Sequence, residues 1–276
     1  MATIRELERG VWLDESALVD DDRRDVEMLC HGLSNCVADL VVSLSMFEQA
    51  QVESHVRMQS RPRAGCMEEW EREGQRQRAR KAELEAKAGV AWGQLDYFEK
   101  SEAIREQVRR EMLREKWARE GGPDAYRHRV EFIHAQSFIS TLAVLQRSLL
   151  ALTKYPFEPA VALKIKKAAD DFADALPGLK GVRDSVAHVE ERVRAEAHGK
   201  KIKKQPVSNS MIHAPGGGTM VVSALNNRHY GGTIADGTYA EVEVADPTTE
   251  VARAAVQAVY SAVPWRPGHR HFEPSS

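Results

Sequence analysis

Cysteine is scarce: Cys30, Cys36 and Cys66 are the only three in 276 residues. An odd, sparse set argues against a disulfide framework and suits a reducing compartment. Net charge is nearly absent as well. It is −2 at pH 7, from 39 basic and 41 acidic side chains. That excludes a uniformly basic nucleic-acid coat but leaves room for a local basic patch. No apolar run approaches the ~20 residues that span a bilayer; the best candidate, Cys36 to Met46, is interrupted by Asp39. The opening residues lack the basic-then-apolar form of a secretory signal. These absences together predict a cytoplasmic protein with no membrane partner.

Signatures of bound metal and cofactor are missing too. Cys30-His31 with Cys36, and His269 with His271, are the closest clusters. Neither has paired C-x-x-C spacing or an H-E-x-x-H pattern. Buried near an apolar stripe, a cysteine is ordinarily a small hydrophobe. Gly216-Gly217-Gly218-Thr219 is glycine-rich, but a strand is expected after it. A phosphate loop needs a helix start there, and usually a Lys-Ser/Thr pair. No metal and no cofactor is therefore expected.

What is present is a periodic apolar pattern in a heavily charged chain, 42% hydrophobic and 29% charged. Residues 1–22 carry little pattern and read as an irregular, loosely packed N-terminal arm. Val26, Leu29, Leu33, Cys36, Leu40, Leu44 and Phe47 then recur in steps of three and four, which predicts one long helix to about Met58. Residues 62–122 alternate blocks of opposite charge, as in Glu68–Glu73 and Arg76–Lys81, and read as a charged helical insertion laced by i,i+4 pairs. Gly121-Gly122-Pro123-Asp124 breaks and restarts the chain. Ala135, Phe138, Leu142, Leu145, Leu149 and Leu152 form the cleanest stripe, and Val161, Ile165, Ala168, Phe172 and Leu176 form another. A further helix is expected from about Leu179 to Ala197, buried through Val182, Val186, Val189 and Val193.

After residue 199 the chemistry changes. Lys200, Lys201, Lys203 and Lys204 read as a basic linker that is also able to track phosphates. Met220–Leu225, Arg228–Ile234 and Thr238–Val244 read as three strands joined by Asn226-Asn227 and Asp236-Gly237 turns. Tyr230 and Tyr239 on them could stack bases, although packing is the ordinary role of such residues. Asp246 is expected to cap a last helix with Pro247 in its first turn. The fold class is thus α+β, mainly α: an up-and-down helical bundle over 23–198, then a small C-terminal antiparallel β-meander and a terminal helix within 199–276.

Within the late helix stands Arg183-Asp184-Ser185-Val186-Ala187-His188. At ~100° per residue, Arg183 falls ~90° to one side of the valine stripe and His188 ~130° to the other. The pair would then frame a face turned away from its own bundle, which favours a composite site across a two-fold axis. Arg183-Asp184-x-x-x-His188 resembles the R-(polar)-x-x-x-H signature of HEPN domains, placed on a late helix of such a bundle. The resemblance spans about residues 23–198, with only the short motif specific. Departures are the large insertion, the β-rich tail, and Asp184 where Asn is frequent. The resemblance implies a metal-independent ribonuclease acting as a homodimer on RNA, of a toxin or phage-defence kind, with a regulatory protein partner left open. The chemistry is sound in outline. Histidine exchanges protons near neutrality, an arginine fork holds a phosphate, and Ser185 could add a hydrogen bond. Two other readings compete. One is a non-catalytic helical module binding a protein, nucleotide or RNA. The other is a structural dimer whose charged arm carries the interaction.

Overall fold

The computed structural model describes residues 5–60, 65–268 and 270–273. Along the chain lie β1 (Leu7–Gly10), α1 (Asp20–Ser60), α2 (Gly65–Lys87), α3 (Tyr97–Glu120), α4 (Asp124–Leu152), α5 (Pro159–Ala175), α6 (Leu179–Ala187) and α7 (Val189–Val193). There follow β2 (Glu196–Ala197), β3 (Lys200–Lys201), β4 (Val207–Ser208), β5 (His213–Ala214), β6 (Ala224–Asn226), β7 (His229–Thr233), β8 (Tyr239–Glu243), α8 (Asp246–Ala262) and β9 (Arg270–Glu273). The protein is mainly α, with an antiparallel β6-β7-β8 meander followed by a helix. Its contacts define two units, Met1–Gln49 with Phe132–Ser276, and Ala50–Glu131. The inserted unit is therefore wider than the charged stretch 62–122, and the β-rich tail shares one unit with the bundle.

The first unit is held by the stripes that the sequence displays. Val26, Leu33, Cys36, Leu40, Leu44 and Phe47 of α1 are buried, as are Ala135, Phe138, Leu142, Leu145, Leu149 and Leu152 of α4. Ile165, Ala168 and Phe172 of α5 join the same core, as do Val256 and Val259 of α8. α1 is long and apolar enough to cross a membrane by length and composition. Its apolar stripe is covered by protein, as on a core helix of a bundle. Buried in that stripe, the Cys30 thiol is pushed up to about 12, chiefly by desolvation.

The meander packs on α6 through β7 and β8. Arg228 ties its first turn to α1, with Nη1 and Nη2 each 3.0 Å from Glu48 Oε1. The second turn is set by Asp236, whose carboxylate accepts Thr238 N–H at 2.9 Å and Thr238 Oγ1 at 2.7 Å. Those two hydrogen bonds hold the Asp236 carboxyl below its ordinary range. Tyr230 is buried edge-on against Phe132, so it packs and offers no face for a base.

Two expectations are corrected at the ends of the chain. The N-terminal arm is not loose: β1 pairs antiparallel with β9, Leu7 facing Glu273 and Gly10 facing Arg270. Gln257 of α8 clasps the same strand, accepting Glu8 N–H at 3.0 Å and donating to Glu8 O at 2.9 Å. Leu7, Leu13 and Leu18 consequently enter the core. Asp246 is also not the cap of α8. Ala245 takes that place in extended backbone, and Asp246 stands in the first turn. There its carboxylate complements the helix N-terminus and meets Arg5.

The second unit contains a helical hairpin of α2 and α3. Opposite charges lace it, as the alternating blocks predict. Arg80 reaches Glu83 at 3.0 Å on its own helix and Glu111 at 3.3 Å on the other. Ser101 Oγ donates to Glu85 at 2.7 Å. Such exposed pairs are screened by solvent and add little each, so the hairpin owes its form as much to good helix formers as to its charges.

Gly10 lies where an added Cβ would come 2.2 Å from Trp265 Cβ. Gly10→Ala should therefore force the two terminal segments apart and cost about 1–3 kcal/mol. Urea unfolding of the full chain checks this, with an unchanged midpoint as the contrary result.

Candidate functional site

The Arg183-to-His188 segment is short because its helix stops early. α6 ends at Ala187, and His188 leaves helical geometry at φ −120°, ψ 47°. α7 then starts afresh, so a single helical wheel does not run from Val182 to Val193. Val182 is buried, but Val189 and Val193 are 47% and 70% exposed. The expected valine stripe fails in its second half, and with it the angular placement of Arg183 and His188.

The inward face is polar instead. Ser185 and Arg192 are each only 1% exposed. Ser185 Oγ donates to Thr233 O of β7 at 2.9 Å. Arg192 Nε donates to Ser185 Oγ at 3.2 Å, and its Nη1 to Glu196 O at 2.6 Å, with Glu191 Oε2 3.7 Å away. A buried guanidinium needs such partners, because desolvation without them costs several kcal/mol. This lock joins α6, α7, β2 and the meander beneath the motif. α6 also runs close to the meander at Gly181, where an added Cβ would lie 2.8 Å from Ile234 Cγ2.

On the outer side Arg183 is partly exposed and its Nη2 meets Asp184 Oδ1 at 3.0 Å. Arg183 Nε is buried with no hydrogen-bond partner. His188 is exposed, with Nδ1 3.8 Å from Glu190 Oε1. The geometry thus brings Arg183 together with Asp184, and His188 beside Glu190. It turns Ser185 inward, where its hydroxyl is committed to Thr233 and Arg192.

The lysine cluster is not a linker. Glu196–Ala197 and Lys200–Lys201 form a two-stranded hairpin around His198 and Gly199, both at positive φ, 51° and 73°. Such a paired left-handed turn matches strand twist. Lys201 Nζ lies 3.0 Å from Glu196 and donates to Arg194 O at 3.1 Å. Together with Arg194, it holds the Glu196 carboxyl below its ordinary range. Lys204 Nζ donates to Gly218 O at 3.1 Å. Lys200 and Lys203 keep exposed side chains.

Among the described residues no group of three or more His, Cys, Asp or Glu side chains is placed to hold a metal. Cys30 and Cys36 are buried free thiols. His269 and the side chain of His271 lie outside the described residues. Comparison with family models, with curated proteins and with solved structures finds no match to this chain.

Arg192 is the residue that sequence reasoning missed. Its spacing of seven from Ser185 would be two turns only in an unbroken helix, so with the break at His188 the sequence holds no clean periodic signal for it. Arg192→Ala should leave Glu196 O without the guanidinium and Ser185 Oγ with only its bond to Thr233 O, around a cavity, and cost about 2–4 kcal/mol. Ser185→Ala, which leaves Arg192 its bond to Glu196 O, should cost less, about 1–2 kcal/mol. Denaturant midpoints of the two variants test the ranking, which equal losses or a larger loss in Ser185→Ala would overturn.

Proposed function

We propose that this protein is a metal-independent ribonuclease of the HEPN type, acting in the cytoplasm at a composite site between two copies of the chain. The supporting observation is the corner at His188. An exposed imidazole and a partly exposed guanidinium stand on one short stretch, over a base pinned by the buried Arg192. In this reading one His188 takes the proton of the RNA 2′-hydroxyl as its oxygen attacks the adjacent phosphorus. The bond from phosphorus to the 5′-oxygen breaks, and the partner's His188 returns a proton to that leaving oxygen. Arg183, steadied by Asp184, offers its remaining donors to the phosphate oxygens as charge grows on them. Lys200 and Lys203 would track neighbouring phosphates. A toxin or defence role, with a regulatory protein partner, goes with the HEPN resemblance.

A second reading has its own support. Arg183 is already paired with Asp184, and Ser185 faces the core. A corner built so would suit a non-catalytic module that binds a protein, nucleotide or RNA.

The two readings part on one experiment. Purified wild type, His188→Ala and Arg183→Lys are incubated with mixed cellular RNA in EDTA. Catalysis predicts cleavage by wild type and a loss of ~10²-fold or more in His188→Ala. Arg183→Lys should also lose activity, because lysine lacks the planar two-donor fork. RNA binding should persist in both variants. Equal cleavage by wild type and His188→Ala would remove His188 as the catalyst. No cleavage by wild type, with binding weakened by both substitutions, would favour the second reading.

A further inference from the structure

The two basic groups of the His188 corner each stand beside a carboxylate of their own. Arg183 Nη2 lies 3.0 Å from Asp184 Oδ1, and His188 Nδ1 lies 3.8 Å from Glu190 Oε1. Neither pair ties distant elements together. Arg183 and Asp184 are neighbours on α6, and His188 and Glu190 stand at the start of α7. Partly exposed pairs of this kind contribute little stability. The joints beneath the corner are made by Arg192 and Ser185 instead.

The Arg183 pair falls where a phosphate would have to bind. A guanidinium grips two phosphate oxygens through two parallel N–H donors, either Nε with Nη2 or the two Nη atoms together. Nε of Arg183 is buried without a partner, which leaves the second mode. Asp184 occupies Nη2, one of the two donors that this mode needs. The charge balance agrees. Over residues 183–191 one arginine and one histidine stand among three carboxylates. Glu191 is committed to His198 N–H at 2.9 Å, with Arg192 Nη1 3.7 Å away. That leaves Asp184 and Glu190 against Arg183 and His188. A corner so balanced draws a polyanion less than its cations alone would.

We infer that Asp184, with Glu190 as a weaker second, is an electrostatic brake on the corner: RNA phosphate gains the Arg183 fork only by displacing the Asp184 carboxylate. The inference rests on the reading that RNA is the ligand of this corner, and it adds the regulation of that site. The carboxylate that steadies Arg183 is thus also its competitor for phosphate. Asp184 is the stronger brake because it is nearer and holds a fork donor, whereas Glu190 faces Nδ1 alone.

The test separates binding from cleavage. Asp184→Asn and Glu190→Gln remove charge at nearly constant shape, and circular dichroism verifies folding. Glu158→Gln is the control for net charge, on an exposed carboxylate at the end of α5 away from α6. Binding is read by fluorescence anisotropy of a labelled twelve-nucleotide RNA in EDTA, with every 2′-hydroxyl methylated so that it cannot be cleaved. Affinity should rise ~5-fold in Asp184→Asn, about what an exposed pair withholds. It should rise ~2-fold in Glu190→Gln and stay at the wild-type value in Glu158→Gln. In an Arg183→Ala background Asp184→Asn should give no gain, since no fork is left to free. Equal or weaker binding by Asp184→Asn would overturn the inference and make Asp184 a residue that only positions Arg183. A gain of the same size in Glu158→Gln, or in the Arg183→Ala background, would overturn it too, because either reports net charge and not the fork. So would an absence of binding by every chain. The same RNA with free 2′-hydroxyls tests the ribonuclease reading apart. Tighter binding by Asp184→Asn with no cleavage by any chain would uphold the brake and remove the ribonuclease.

Discussion

A guanidinium sealed from water must find an acceptor for its donors, and at Arg192 this requirement shapes everything around the candidate site. Thr233 O, Ser185 Oγ and Glu196 O form a chain of acceptors and donors that ends on the arginine. Arg192 is carried by α7, because the helix begun at Leu179 stops at Ala187. The chain turns at His188 and restarts as α7. That turn is what exposes His188, while Arg183 remains on the outer side of α6. The polar interior and the accessible corner are thus two sides of one geometric choice.

Where burial is simply apolar, the sequence is a faithful guide. The three- and four-residue steps of α1 and α4 locate both helices and the main line of their buried side chains, while passing over Cys30, Val37 and Ile139. The meander is legible from its turns, since Asn226-Asn227 and Asp236-Gly237 bring their own local geometry. Legibility fails where tertiary contacts decide. Val189 and Val193 fit a buried stripe in spacing, yet the break at His188 turns them to solvent. Lys200 and Lys201 look like a solvated tether, yet a two-residue turn pairs them with Glu196 and Ala197. β1 was hidden for a similar reason: its partner lies at the far end of the chain, beyond the reach of any local pattern.

The two units are stabilised by different physics. The bundle unit buries leucine, valine and phenylalanine in one continuous cluster, a source of stability that salt hardly screens. The α2–α3 hairpin buries little, with Ser101 and Val108 the buried residues of α3. Its side-chain pairs are mostly exposed ion pairs, which weaken as ionic strength rises. One chain therefore combines a salt-tolerant body with an element whose order and contacts respond to the ionic surroundings.

The pairing of β1 with β9 also bears on how the protein is made. Glu8 and its clasp Gln257 are separated by 249 positions, so the first strand leaves the ribosome long before its partners exist. At about 5–20 residues per second the wait is roughly 10–50 s. During that time Leu7 and Leu13 lack their final cover, and an unpaired strand edge is open to other chains. A nascent chain in this state is a natural client for chaperones. The later segment, α8 with β9, completes the fold around the earlier one.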